Sequence, residues 1–284
     1  MLIVVESGST KSDWMLVQGN SRNQVSTIGF NPYFHNEDDV EEELRKNCAL
    51  VEIASEVTDI FFYGAGCSIP ELNAKIERGL KRIFTNAEVS VDHDLNACAY
   101  ATYNGRPEIA CILGTGSNSC YFDGEEMFEE IPALDYVLGN EGGGTYFGKQ
   151  MLADFLYKRL PLELHDELVA LKLDKASIVD NVYIKSNANV YIASFMPILI
   201  KHKSLPYCQQ LIREGLEKFI EIHVKCFANY KDVEVNFVGS VAHLLSEELM
   251  EVCKEQEINV GAIVRRPLEK LVDFHLSSTN KQVV

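Results

Sequence analysis

One design occurs twice in this chain. Near its start, Ile3-Val4-Val5 runs into Glu6-Ser7-Gly8-Ser9-Thr10-Lys11 and then Ser12-Asp13-Trp14. Farther on, Ala110-Cys111-Ile112-Leu113 runs into Gly114-Thr115-Gly116-Ser117-Asn118 and then Ser119-Cys120-Tyr121-Phe122. Sliding residue 7 onto residue 114 also places Ser9 on Gly116 and Thr10 on Ser117. Each copy reads as an apolar strand, a turn of small and hydroxyl-bearing residues, and a second strand entered through an aromatic. Glycine allows positive φ and close backbone approach. Successive N–H groups beside hydroxyls make a nest for an anion. For either copy alone, an ordinary hairpin turn explains the pattern equally well. Together they predict two related subdomains, each offering a phosphate-sized nest. No Gly-Lys-Ser/Thr opens a helix, so neither turn is a Walker A loop. Both turns lead into strands, which excludes a dinucleotide fingerprint.

The rest of the chain fits a duplication. Residues 2–7, 13–18 and 24–29 read as a three-stranded meander. Asn36 or Asp38 can cap an amphipathic helix running to about Ser55. A strand over 59–63 ends in Gly64-Ala65-Gly66, Pro70 opens a helix, and 87–91 is a strand followed by a small-residue helix from Leu95 to Tyr103. Strands restart near 109–114, 117–122 and 125–130. A glycine-rich stretch (138–148) and a helical insertion of about 160–230 follow. Then come a strand (233–239), a helix (241–253), a strand (258–264) and a closing helix from Pro267. The expected fold is α/β, two lobes of β-β-β-α-β-α-β order. The lobes are residues 1–107, joined by the helix of 266–284, and residues 108–265.

With a net charge of −16, the chain argues against nucleic acid and against an anionic membrane surface as partners. An anionic ligand needs local nests, a few cations or a metal ion. No basic, then apolar, leader opens the chain, and no apolar run reaches membrane-spanning length. The eight cysteines show no C-x-x-C spacing and read as reduced residues of a cytoplasmic protein.

Individual residues carry competing readings. Asp94 lies where a strand passes into a helix, so it suits either a base for a substrate hydroxyl or a helix cap, and Asp92 could take either role. Glu6, beside the first turn, suits a Mg²⁺ ion bridging phosphates or a plain strand-end charge. Thr10 and Lys11 could bond phosphate oxygens, although a solvated surface lysine is the commoner outcome. Gly139-Asn140-Glu141-Gly142 could shape a substrate pocket at a helix start. Gly239-Ser240 permits close approach of a ring or sugar, or is a short turn. The seven histidines lack metal spacing.

This constellation resembles the actin/hexokinase/Hsp70 ATPase superfamily, and within it the BadF/BadG-type ATPase family that includes N-acetylglucosamine kinase. Glu6 to Lys11 looks like that family's first phosphate motif, and Leu113 to Asn118 its second. Asp94 matches its catalytic-base position, Gly139 to Gly142 its Gly-Asp-Glu-Gly, and Gly239-Ser240-Val241 its adenosine-side turn. Four features depart from the family. Asn140 replaces Asp, Ser7 and Ser9 replace glycines, Pro132 to Tyr136 stands in place of a Gly-Gly-Trp-Gly-His segment, and Arg266-Pro267-Leu268 replaces a Gly-Ala pattern.

The resemblance implies ribonuclease H-like lobes around a cleft and ATP-dependent phosphorylation of the 6-hydroxyl of N-acetylglucosamine or a related amino sugar, with Mg²⁺. It implies ATP contacts from Ser9, Thr10, Lys11, Gly114, Thr115, Gly116, Ser117, Gly239 and Ser240, and a metal contact from Glu6. Sugar contacts fall on Asn31, Asp94, Thr115, Gly116, Asn140 and Glu141, with Asp94 as the base. A homodimer is left open. The alternatives are another acceptor, such as N-acetylmuramic acid or glucosamine, and an ATP-driven switch acting on a partner protein.

Overall fold

The computed structural model describes residues 1–8 and 10–281. The apolar run at the start forms β1 (Leu2–Ser7), the middle strand of a sheet. The antiparallel strands β2 (Lys11–Gln18) and β3 (Ser21–Ile28) lie on one side, and the parallel strands β4 (Asp59–Gly64) and β5 (Glu88–His93) on the other. The order is β3-β2-β1-β4-β5.

The second sheet repeats the first. Its strands are β6 (Glu108–Leu113), β7 (Ser117–Phe122), β8 (Met127–Phe128), β9 (Glu234–Val238) and β10 (Val260–Val264), in the order β10-β9-β6-β7-β8. With β6 read as β1, β7 as β2 and so on, the two orders are the same. The duplicated α/β topology expected from the twin turns is therefore present.

The chain divides into two compact units, one of Met1–Thr102 with the segment from Arg266, the other of Tyr103–Arg265. In the first, β1 is buried on both faces, as parallel sheets under helices require. Alternation along the strand sends Ile3 and Val5 to one side, where Trp14, Phe30 and Phe62 meet Val40, Leu44, Ile76 and Leu80 of the covering helices. Val4 goes to the other side, with Met15, Val17, Tyr63, Ala97, Leu271 and Val272. Burying each large side chain contributes roughly 1.5–3 kcal/mol. The helix Leu268–Lys281 closes this second face: Arg22 bonds Glu269 at 3.0 Å and Asp273 at 2.7 Å. His275 stacks on Phe61 with ring centroids 3.8 Å apart and shares a 2.8 Å hydrogen bond with Tyr63 Oη. The second unit packs Phe147, Leu216, Phe219 and Phe237 between β6, β9 and the inserted helices.

Three expected elements differ. The helix projected to Ser55 stops at Arg45, because Asn47 caps a new helix, Cys48–Glu52, by accepting from the Leu50 N–H. The strand projected over 125–130 shrinks to Met127–Phe128, since Asp123 Oδ1 accepts from the N–H groups of Glu125 and Glu126 and folds the preceding residues into a turn. The helix projected over 241–253 divides at Leu245 into Ser240–Leu244 and Ser246–Glu255.

Candidate active site

In the first unit, strand register builds a level rim. Ser7 of β1 lies opposite Gly64 of β4, and Gly64 opposite His93 of β5. Three carboxyl-terminal strand ends therefore finish together, the place where open α/β sheets bind ligands. Ser7 ties this rim to its surroundings. Its hydroxyl accepts from Ser12 Oγ at 2.7 Å and from the Phe30 N–H at 2.9 Å, and its carbonyl accepts from the Ala65 N–H at 2.9 Å. The serine found where glycine was expected is thus a buried structural link, a role sequence reasoning missed.

Asp94 is the first residue of the helix Asp94–Thr102. Its side chain is 24% exposed, with Oδ1 3.4 Å from His93 Nε2. Asp92 instead turns back and accepts from the His93 N–H at 3.0 Å. Glu6 is half-buried. Burial, then the charges of Asp94 and Asp13, push its carboxyl up to about 7, while Arg266 and Lys11 offset part of that. Lys11 Nζ pairs with Asp13 at 2.6 Å. Burial raises the Asp13 carboxyl, but hydrogen bonds from Lys11 and Ser26 outweigh it and hold the group below its ordinary value. Thr10 is exposed in the turn that the Gly8 N–H closes on the Lys11 carbonyl at 3.0 Å. Ser9 lies outside the described residues. Asn31 Oδ1 accepts from the Tyr33 N–H at 3.0 Å. A Cβ on Gly66 (φ +83°) would come 2.8 Å from that oxygen, so the turn after β4 admits only glycine.

Among the described residues, no three His, Cys, Asp or Glu side chains gather closely enough to hold a metal ion unaided. Mg²⁺ commonly binds through one or two carboxylates, waters and substrate phosphates. Burial first, and then the neighbouring Asp94 and Asp13 charges, raise the Glu6 carboxyl, and a cation beside these carboxylates would fit the residues present.

In the second unit, the Gly114 N–H donates to the Gly116 carbonyl at 2.9 Å and closes the β6–β7 turn. The helix Gly144–Leu156 spends its first free N–H groups there: Gly144 on the Gly114 carbonyl at 2.8 Å and Thr145 on the Thr115 carbonyl at 2.9 Å. Asn140, at φ +62°, completes the link. Its Oδ1 accepts from the Ser117 N–H at 3.2 Å and its Nδ2 donates to Thr145 Oγ1 at 3.0 Å. The buried Ser117 hydroxyl has no partner among the described residues. Gly239 (φ +130°) follows β9 and abuts the Leu113 carbonyl, and Ser240 is exposed at the start of its helix. Glu141 Oε2 lies 3.6 Å from Nε2 of the buried His223. Lys149 Nζ donates to the carbonyls of Tyr136 at 2.5 Å and Gly139 at 3.4 Å, anchoring the segment before the loop. No spacing signal pointed to His223 or Lys149.

In the first unit the structure sets Glu6 beside Asp94 and Lys11, with Thr10 in the turn before Lys11 and Asn31 against Gly66 after β4. It brings Gly114 to Ser117, Asn140, Glu141, Gly239 and Ser240 together in the second. Two sheets of identical order, each with a hydroxyl-bearing turn after its middle strand, define the actin-like ATPase class.

The chain is 31% identical to a provisionally assigned N-acetylglucosamine kinase from Porphyromonas gingivalis, over 97% of this chain and 98% of that one, with a TM-score of 0.90. It therefore belongs to the actin/hexokinase-like sugar-kinase family. A second provisionally assigned N-acetylglucosamine kinase, from Chromobacterium violaceum, shares the fold at 15% identity and a TM-score of 0.70, over 96% of this chain and 98% of that one. A glucokinase of the ROK family from Streptomyces griseus, solved with glucose and AMPPNP, shares it at 15% identity and 0.51, over 95% and 98%. No family model matches the chain, and no curated protein matches it.

Proposed function

We propose that this protein is an ATP-dependent kinase acting on the 6-hydroxyl of N-acetylglucosamine or a related amino sugar. The observation that carries the reading is Asp94, a part-exposed carboxylate heading a helix at the rim that also bears Glu6. The likeness to the Porphyromonas gingivalis protein supports the acceptor.

In this reading Asp94 orients the sugar hydroxyl and accepts its proton. Ser9, Thr10, Lys11 and Gly114 to Ser117 are the residues assigned to phosphate oxygens, through backbone N–H groups and hydroxyls. Gly239 and Ser240 lie on the adenosine side. Asn31, Thr115, Gly116 and Glu141 contact the sugar, and Asn140 holds the second turn in shape. Glu6 would hold Mg²⁺, directly or through water. When bound, that ion neutralises charge on the phosphates. Phosphoryl transfer depends chiefly on positioning and electrostatics, which these residues can supply.

A second acceptor is favoured by one observation. Where the family carries Gly-Gly-Trp-Gly-His, this chain forms a short helix, Asp135–Leu138, and exposes Leu134, Val137 and Leu138 around it. An amino sugar with a different substituent, such as N-acetylmuramic acid, fits that change. The eight cysteines lack C-x-x-C spacing, which supports a reducing, cytoplasmic setting. Among the described residues no helix is long and apolar enough to cross a membrane. A coupled ADP-release assay over a panel of sugars tests the reading. Sugar-dependent release is expected with N-acetylglucosamine or N-acetylmuramic acid, and release independent of every sugar would overturn it.

A further inference from the structure

His223 is a buried polar residue of the second unit that the site described above does not use. It is 3% exposed and sits in the π-helical turn Ile220–Val224, which continues the helix Pro206–Phe219. Single π-turns insert one residue into a helical ladder and occur often at functional sites. The ring stacks on Phe219, centroids 5.0 Å apart and planes 21° from parallel. That packing fixes the ring plane. Nε2 points toward Glu141, 3.6 Å from its Oε2. Nδ1 is buried and has no partner among the described residues.

The groups around the pair are few. Ser119, from β7, donates its hydroxyl to the His223 carbonyl at 2.6 Å. Gly142, next to Glu141, packs so tightly on Phe219 that a Cβ there would lie 3.0 Å from the Phe219 Cβ. Glu141 is the charged group acting on the imidazole, and Lys149, on the helix Gly144–Leu156, acts on charges at Glu141. Burial holds the imidazole below its ordinary pKa despite the carboxylate, so the ring is neutral near pH 7. A neutral ring whose Nδ1 has no partner can place its one proton on Nε2, facing the carboxylate.

At 3.6 Å the contact is longer than a hydrogen bond. Site hydrogen bonds are often long before ligand binds and tighten in the complex.

We propose that His223 is the positioning residue for Glu141: its Nε2–H closes on the Glu141 carboxylate and fixes it in the orientation that grips an acceptor-sugar hydroxyl. The inference rests on the kinase reading above, because it assigns Glu141 to the sugar. Sequence spacing could not suggest it, since the pair joins the glycine-rich loop to a helix far along the chain.

The test uses the full chain with His223→Leu, His223→Gln, Glu141→Gln and the Leu/Gln double variant. Saturating ATP and varied N-acetylglucosamine give kcat and KM separately. Losing a hydrogen bond to a charged group corresponds to roughly a 10- to 100-fold change. We expect H223L to raise the sugar KM at least ~10-fold, with the KM for ATP unchanged and kcat within a few-fold of wild type. H223Q, which keeps a side-chain N–H, should recover most of the loss. The double variant should be no worse than E141Q alone, as coupled neighbours require. Equal damage from H223L and H223Q, independent effects in the double variant, or a rise in the KM for ATP would each overturn the proposal. If H223L does not fold, the comparison of H223Q with E141Q decides by the same criteria. Histidine-selective ¹H–¹⁵N NMR gives a readout separate from turnover. H223Q identifies the His223 signals by their loss, and E141Q should shift the Nε2–H signal. Wild-type protein that phosphorylates no sugar removes the kinase reading. The NMR comparison then decides the pair by itself: a His223 signal unmoved by E141Q overturns it.

Discussion

Asn140 Oδ1 accepts from the Ser117 N–H, and this side-chain hydrogen bond joins the glycine-rich loop to the β6–β7 turn beside the backbone bonds of Gly144 and Thr145. The asparagine that replaces the family's aspartate therefore has a structural task. Asn140→Asp keeps the acceptor for Ser117, and the Thr145 hydroxyl can donate to the new carboxylate in place of accepting. The expected result is a folded protein with turnover within a few-fold of wild type. Asn140→Ala leaves the Ser117 N–H unpaired and should cost about 1–3 kcal/mol in urea unfolding. It should also raise the KM for ATP, because the turn that supplies phosphate contacts loses its brace.

Asp94→Asn keeps size and shape and removes the base. Sugar-dependent ADP release should fall at least ~100-fold, with ATP affinity by calorimetry largely kept. Near-wild-type turnover would remove Asp94 from the chemistry.

Two groups, the buried His275 and the half-buried Glu6, should bend the pH profile of stability in opposite directions. His275 is depressed to about 4 by burial. Its folded value lies below its unfolded one, so its contribution is present above pH 6.5 and is lost as the pH falls toward 4. Glu6 is raised from 4.5 to about 7. Its contribution is present below pH 4.5 and is lost as the pH rises to 7. Each should amount to ~2–3 kcal/mol across its window. Relative to wild type, His275→Phe should lose stability least in acid, and Glu6→Gln should gain most above pH 7. Urea unfolding at pH 4.5, 6 and 8 checks both. Parallel profiles for all three proteins would refute the pair.

Glu6→Gln should also demand more Mg²⁺. The expected change is a several-fold rise in the Mg²⁺ concentration for half-maximal ADP release at fixed ATP, with the sugar KM little altered. An unchanged Mg²⁺ requirement would detach Glu6 from the metal.

A Cβ on Gly239 would lie 2.2 Å from the Leu113 carbonyl oxygen, at φ +130°. Gly239→Ala should cost ~3 kcal/mol or more, since backbone meets backbone and neither can move aside. Gly105, at φ +94°, has nothing within 4 Å of such an atom. Gly105→Ala should cost only ~1–2 kcal/mol, from strain alone. Urea midpoints compare the two.

Much of this architecture was legible in the residues. Ile3-Val4-Val5 and Ala110-Cys111-Ile112 mark central strands because only apolar runs survive burial on both faces. The twin turns after them gave the duplication. Local competition was harder to read. Asn47 could continue a helix or cap a new one, and its hydrogen bond to the Leu50 N–H decided for the cap. Lys11 carried two readings, a phosphate contact and a surface lysine, and neither foresaw that Asp13 on the same strand pairs with it. Ser7 looked like a substituted glycine, and its bonds to Ser12 and Phe30 exist only once three chain segments meet. His223 gave no signal, because a lone histidine in an apolar helix gains meaning only from what packs across from it.

The helix Leu268–Lys281 lies over Val4, Met15 and Tyr63 of the first sheet. During synthesis on a ribosome, those strands emerge before the second unit and this cover emerges after it. The second unit, a continuous stretch, can finish its core while the first still shows an open apolar face. Messages cut short before Arg266 should therefore yield chains that chaperones retain, even though every proposed site residue has already been made.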